Sequence, residues 1–263
     1  MYLDLLKKCL TRSGMGDYVY VEGSTRSIGG LLKIALRKVL AIRGLDVAKP
    51  LDPVNWVGIP RNAETMIGLV GLDNLQHCIT DVLNKRIPGD LIETGAWRGG
   101  ATIFMRAVLY VYGDTTRKVW VADSFRGVPR PNPQKYPADK GDRLWASRYL
   151  AVSLDEVKRN FSRYGMLDDQ VEFLVGWFGD TLPLASIERL AVLRLDGDLY
   201  ESTMDSLRCL YPKLSIGGYV IVDDYGAFPG CRLATDDFRK EHGIVDKLTQ
   251  FASHGGVVWR RTQ

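Results

Sequence analysis

The sequence is poor in the side chains that most often move protons near neutral pH. It has three histidines in 263 residues, His77, His242 and His254. None ends an apolar strand-like run, so packing or surface roles are expected for them and the chemistry must rest on other groups. The four cysteines, Cys9, Cys78, Cys209 and Cys231, are scattered without a C-x-x-C pair. That excludes a disulfide framework and a zinc ribbon and leaves buried free thiols. No apolar run reaches the roughly 18 residues of a membrane span. Asp4, Lys7 and Lys8 interrupt the opening stretch where a signal peptide would be apolar. A cytoplasmic protein without membrane contact is therefore expected. G-x-G-x-x-G and the G-K-[ST] ending of a P-loop are also missing, which argues against a dehydrogenase and a P-loop nucleotidase. Net charge is +4. The segment from Ser24 to Lys49 alone carries Arg26, Lys33, Arg37, Lys38, Arg43 and Lys49 against Asp46, leaving the remainder near neutral and no nucleic-acid surface.

What is present is a chain with 46% hydrophobic and 25% charged residues, enough for one large α/β domain with additions. Its centre is DLIETGAWRGG, Asp90 to Gly100. Leu91 and Ile92 read as the end of a buried strand and Glu93 as its carboxyl end. Gly95, Gly99 and Gly100 let backbone approach a ligand before a helix from Ala101 to Tyr112. An acid in such a turn disfavours pyrophosphate and favours a cationic, hydroxylated ligand. S-adenosylmethionine has that polarity, while a purely structural strand–helix turn is the plainer alternative.

Around this turn the elements alternate. Tyr2 to Leu10 and Ser27 to Ile42 show helical apolar spacing, the latter basic on its other face, as a membrane-surface helix or a helix packed on its own domain or a twin subunit would be. Lys49 to Asn62, with Pro50, Pro53 and Pro60, reads as a linker or lid strap. Asn62 is expected to cap a helix from Ala63 to Asn84. Val119 to Asp123, Val171 to Val175, Leu190 to Leu195 and Tyr219 to Val222 are further strands. Helices are expected near Ser153 to Tyr164, with a Ser153/Glu156 capping box, at Ser202 to Leu214 and at Leu233 to His242. Val245 to Phe251 and Val257 to Arg261 read as a terminal hairpin. Arg126 to Trp145, proline-rich and without period, reads as an insertion over the site. The expected organisation is a helical N-terminal extension or lid over 1–62 and a catalytic domain over 63–263.

Parallel strands share their carboxyl edge, so Glu93, Asp123, Gly176, Asp196 with Asp198, and Asp223 with Asp224 converge. Crowded carboxylates repel and need a positive partner. For the four aspartates after the fourth and fifth strands a divalent cation, Mg²⁺, Mn²⁺ or Ca²⁺, is the economical partner; helix N-capping is the alternative for each taken singly. Asp123 suits ribose hydroxyls. Asp196 and Asp198 are two apart, so persisting strand geometry would put both on one face, one for the metal and Asp198 for the acceptor proton.

The motifs TMIG (65–68), LDNLQHC (72–78), PGDLIETGAWRGGA (88–101), VWVADSF (119–125), LDDQVEFLVGWFGDTLP (167–183), LAVLRLDGDLYESTMD (190–205) and VDDYGAFPGCR (222–232) resemble those of the macrocin O-methyltransferases. The opening YLDLLKK is similar too. The resemblance implies a Rossmann-like class I methyltransferase with a mostly parallel seven-stranded sheet and an antiparallel C-terminal hairpin. It implies S-adenosylmethionine held by Thr65, Met66, Glu93, Thr94, Gly95, Ala96, Trp97, Arg98, Asp123, Ser124, Phe178, Gly179 and Asp180. Mg²⁺ would sit on Asp196, Asp223 and Asp224, with Asp198 as base. The implied acceptor is a glycosylated small molecule, a macrolide or related antibiotic, and the assembly a homo-oligomer. A cell-envelope glycolipid as acceptor and a nucleoside-binding protein without turnover remain as alternatives. The stretch from Thr11 to Asn62 is longer and more basic than the family pattern, and with 126–149 it is where the acceptor would be recognised.

Overall fold

The computed structural model describes residues 1–13, 18–19, 59–60, 62–251 and 255–263. The basic Ser27 to Ile42 stretch, nearly all of the proline-bearing linker and His254 lie outside these. Helices are α1 (Tyr2–Thr11), α2 (Gly68–Asn84), α3 (Gly100–Val111), α4 (Leu154–Arg163), α5 (Phe178–Thr181), α6 (Tyr200–Leu210) and α7 (Pro229–Glu241). Strands are β1 (Tyr18–Val19), β2 (Ile59–Pro60), β3 (Asp90–Thr94), β4 (Val119–Asp123), β5 (Val171–Val175), β6 (Leu190–Leu195), β7 (Leu214–Val222), β8 (Thr249–Gln250) and β9 (Val257–Arg260). Strands β1 and β2 form a separate antiparallel pair; the others form one seven-stranded sheet in the order β5-β4-β3-β6-β7-β9-β8. Strands β3 to β7 pair in parallel, and β9 and β8 add antiparallel at one edge.

The order reverses between β3 and β6, which opens a crevice beyond their carboxyl ends. Both strands are buried along their length, as the unbroken apolar run LAVLRL suggests for a strand covered on two faces. One face carries Leu6 and Leu10 of α1, Leu72 and Ile79 of α2, Phe104 of α3 and Phe161 of α4 in a single apolar cluster. The opposite face carries Met204 and Leu207 of α6 and Phe238 of α7 against Trp259 of β9. The first helix thus shares the core of the domain that follows it. Cys9, Cys78, Cys209 and Cys231 are all free thiols. No described helix is long and apolar enough to cross a membrane.

Several boundaries differ from the sequence reading. The helix expected from Ala63 starts at Gly68, and Asn62 does not cap it. The Glu64 amide donates to the Leu10 carbonyl at 2.9 Å and the Glu64 carbonyl accepts from the Gly100 amide at 2.8 Å. With Arg98 Nη1 on the Ala63 carbonyl at 2.9 Å, this backbone joins the ends of α1 and α3 and is not available for helix bonds. Strand β7 begins at Leu214 rather than Tyr219; Gly217 and Gly218 concealed its first half, and its pairing with β6 shifts register there. Accordingly α6 stops at Leu210, four residues early, and α7 starts at Pro229, four early, with proline in its first turn. The terminal hairpin pairs only Thr249 and Gln250 with β9. The expected Ser153 cap is present, its Oγ accepting from the Glu156 amide at 3.3 Å.

If α1 belongs to the core, Leu10→Ala, at a fully buried position, costs about 2–5 kcal/mol. Urea unfolding of the full chain measures it; an unchanged midpoint would show that α1 merely rests on the surface.

Candidate active site

The turn after β3 passes within contact of the end of β6. Gly95 has φ 92°, and a Cβ there would lie 1.7 Å from the Asp196 carbonyl oxygen, so only glycine permits this approach. Asp123, at the end of β4, binds the same turn. Its Oδ2 accepts from the amides of Ala96 at 2.9 Å and Trp97 at 3.1 Å. Its Oδ1 accepts from Phe125 at 2.7 Å. Burial pushes the Asp123 carboxyl above its usual range, against the pull of these amide donors. Its first role here is therefore to join two turns, and hydroxyls of a ligand would have to use its remaining lone pairs.

The strand-end acids do meet, and a residue overlooked in the sequence lies among them. Arg194 of β6 is 1% exposed. Its Nη1 lies 2.5 Å from Glu93 Oε1 and 2.8 Å from Asp196 Oδ2, and its Nη2 lies 2.9 Å from Asp223 Oδ1. Burial opposes the charge on Arg194, but Asp223, Asp196 and Glu93 outweigh it and hold the guanidinium protonated. Burial also pushes Glu93 up to about 8, with Arg194 pulling down and Asp196 and Asp223 pushing further up. Glu93 is thus buried under the cluster and does not line the open cleft.

Above the guanidinium, Asp196, Asp223 and Asp224 each offer a carboxylate oxygen within 4.8 Å of the others. Asp223 and Asp224 are buried and Asp196 half-buried. With Glu93 and Asp198 this makes five carboxylates against one guanidinium, a deficit of four positive charges if all are ionised. Burial, then repulsion from Asp196, Asp198 and Asp223, raises the Asp224 carboxyl far above its usual range. Such an all-oxygen set fits a hard divalent cation.

Asp198 reaches the cluster differently from the expected extended strand. Strand β6 ends at Leu195, and Asp198 sits in the left-handed region with φ 58°. Its amide donates to Asp224 Oδ2 at 3.0 Å, so the Asp224 carboxylate holds the strained turn. Burial first, then Asp196, Asp142 and Asp223, pushes the Asp198 carboxyl up to about 8.

A cleft of about 2010 Å³ opens over these groups, larger than the roughly 300–1,000 Å³ of a site for one drug-sized ligand. Of the residues singled out in the sequence, Met66, Gly95, Trp97, Asp123, Ser124, Phe178, Gly179, Asp180, Asp196, Asp198, Asp223 and Asp224 line it. Thr65, Glu93, Thr94, Ala96 and Arg98 do not. Thr65 and Thr94 are buried, Ala96 donates its amide to Asp123, and the Arg98 guanidinium stacks on Trp97 at 4.4 Å. The 126–149 insertion forms one wall through Arg130, Asp142, Arg143, Leu144 and Tyr149, among others, and Phe228 completes it. Among the described residues, no histidine lines this cleft. Arg194 was detectable as a lone charge inside an apolar run, two residues before Asp196 and so on the same strand face.

A family model described as macrocin-O-methyltransferase (TylF) matches residues 1–261. The chain belongs to the macrocin-O-methyltransferase family. It is an O-methyltransferase, and its fold is that of the class I methyltransferases. Among curated relatives, the 8-demethyl-8-(2,3-dimethoxy-alpha-L-rhamnosyl)-tetracenomycin-C 4'-O-methyltransferase of Streptomyces olivaceus is 56% identical over all of this chain and 93% of its own. The demethyldecarbamoylnovobiocin O-methyltransferase of Streptomyces niveus is 53% identical over all of this chain and 94% of its own. The solved structure of the O-methyltransferase NovP is 45% identical and superposes with a TM-score of 0.83, covering 100% of this chain and 98% of that one.

Replacing Arg194 by Met should leave buried carboxylates unpaired and cost about 3–5 kcal/mol. Adding Glu93→Gln should return part of that, because one of the stranded charges is removed. Denaturant unfolding of the two variants in EDTA tests the pair; equal stability of wild type and Arg194→Met would mean that these acids are protonated in the fold.

Proposed function

We propose that the chain methylates a sugar hydroxyl of a glycosylated antibiotic precursor, using S-adenosylmethionine and a Mg²⁺ ion. The observation that carries this reading is the triad of Asp196, Asp223 and Asp224 beside Asp198, at the floor of a cleft with room for cofactor and acceptor together. The acceptor class follows from the substrates named for the relatives, one of which is a rhamnosyl tetracenomycin, a sugar on a polycyclic scaffold.

The residues divide the work. The Gly95 turn, Met66 and the Asp123 edge would cradle the cofactor, with Phe178, Gly179 and Asp180 on its far side; when bound, it supplies the electrophilic methyl group. Asp196, Asp223 and Asp224 would hold the ion, which supplies positive charge where the acceptor oxygen becomes negative. Asp198 takes the proton of the acceptor hydroxyl on its carboxylate. With a cation neutralising its acidic neighbours, the Asp198 carboxyl would be ionised and able to accept that proton. Glu93 and Arg194 fix the orientation of the carboxylates from beneath. Walls from the 126–149 segment and Phe228 keep water from the reacting oxygens and hold the acceptor in line, where positioning contributes much of the rate.

S-adenosylmethionine should bind in the presence of EDTA, because the cradle does not include the aspartate triad, while turnover should need a divalent cation. Calorimetry with the cofactor alone, and methyl transfer to the rhamnosyl-tetracenomycin and novobiocin precursors named above with and without EDTA, test both halves. Cofactor affinity that disappears on chelation would place the ion inside the cofactor site instead.

Asp198→Asn should keep cofactor affinity and lower kcat by about 10²–10⁴, the usual worth of a positioned base. Near-normal kcat would assign Asp198 to holding the turn and pass the proton to another acceptor.

A further inference from the structure

The 126–149 segment is tied to the turn after β3 through the Tyr149 carbonyl, which accepts from Trp97 Nε1 at 2.9 Å, and to the start of α6 through Asp139. Asp139, on the short helical turn Pro137–Asp139, is 2% exposed although it belongs to a surface insertion. Its Oδ1 accepts from the Tyr200 amide at 2.7 Å and its Oδ2 from the Glu201 amide at 3.1 Å. These are the first two amides of α6, whose own preceding residue, Leu199, provides no side-chain cap. A carboxylate 61 residues away in sequence thus caps the helix that begins two residues after Asp198.

The start of α7 closes on the same carboxylate. A Cβ at Gly230 would lie 2.6 Å from Asp139 Oδ1 and 3.0 Å from the Tyr200 nitrogen, so that corner has no room for a side chain. The Tyr200 hydroxyl donates to Asp237 of α7 at 3.1 Å, and its ring packs on Tyr136 at 5.8 Å. The Asp139 carbonyl also accepts from the Asp142 amide at 3.2 Å, and Asp142 faces into the cleft. One buried carboxylate therefore joins the acceptor-side wall, the turn that follows Asp198 and the helix that follows Asp223 and Asp224.

We infer that Asp139 is a positioning residue for methyl transfer: it sets the distance between the acceptor wall and Asp198. The inference rests on the reading of Asp198 as the base. In Asp139→Asn the amide side chain keeps the shape but presents an N–H to the Glu201 amide, and the charge at the helix start is lost. A displacement of about 1 Å at a reacting group can cost on the order of a hundredfold in rate. Asp139→Asn should accordingly lower kcat/KM for the rhamnosyl-tetracenomycin precursor by about ten- to a hundredfold, leaving S-adenosylmethionine affinity by calorimetry unchanged. Amide hydrogen exchange over 136–150 and 198–203 should quicken by about tenfold, the worth of a lost cap. Gly230→Ala, which crowds the carboxylate without removing it, should show the same pattern and serves if Asp139→Asn does not fold.

Loss of cofactor affinity in parallel with acceptor kcat/KM would reduce Asp139 to a general stabiliser, and unchanged kcat/KM and exchange would remove it from the mechanism. If the wild type binds cofactor but transfers no methyl to this acceptor, the acceptor reading has failed. The exchange arm then still decides: quickened exchange over both segments with intact cofactor affinity supports the clamp, and unchanged exchange overturns it.

Discussion

Arg194 lies fully buried among Glu93, Asp196 and Asp223, and the geometry of the strand ends depends on that guanidinium. Three strands, β3, β6 and β7, end in acids at adjacent positions because a parallel sheet aligns its carboxyl ends. Without a cation in their midst, the like charges would force the strand ends apart or be neutralised by protons. Arginine suits the place better than lysine: its planar fork offers several donors in fixed directions and remains charged when desolvated. It therefore satisfies carboxylates from three strands at once and holds them in register.

A guanidinium cannot be the whole answer to the charge. It offers hydrogen bonds but no coordination site, and Asp224 and Asp198 receive no contact from it among the bonds described. The acids left over are those nearest the open cleft, where a ligand can bring its own positive charge. Division of labour follows from burial: the permanent cation sits at the bottom, where exchange with solvent is slow, and the exchangeable one would sit at the cleft floor. A sulfonium ligand in the cleft would add to the same field. Binding of cationic ligands then relieves a repulsion already present in the fold, and this favours their capture over that of anionic competitors.

Most of the sheet was legible from sequence because buried parallel strands are written as short apolar runs ending in acids or glycine. VWVAD and LAVLRL occupy the strands their patterns indicate. What was hidden depended on contacts distant in the chain. The stretch 63–67 has helical composition, yet its backbone groups bond to Leu10 and Gly100. The first half of β7 carries two glycines that a local reading takes for a turn. Asp198 reaches the cleft through a left-handed residue stabilised by Asp224, which period-two spacing cannot foresee. The acids were legible as a set, but their partner was not sought inside the strand, although one charged residue in six buried positions is itself a signal.

The two helices that leave the acid-bearing strands, α6 and α7, begin without side-chain caps of their own. For α6 the missing cap is Asp139, a residue of the wall that would contact the acceptor, and α7 admits that carboxylate only because residue 230 is glycine. A local cap would have stabilised α6 equally well and left the wall independent of it. Placing the cap on the wall ties the position of the wall to that of the turn carrying Asp198. Substitutions at the exposed part of the wall, Arg130 or Arg143, would thus leave the spacing to Asp198 fixed by the buried carboxylate behind it.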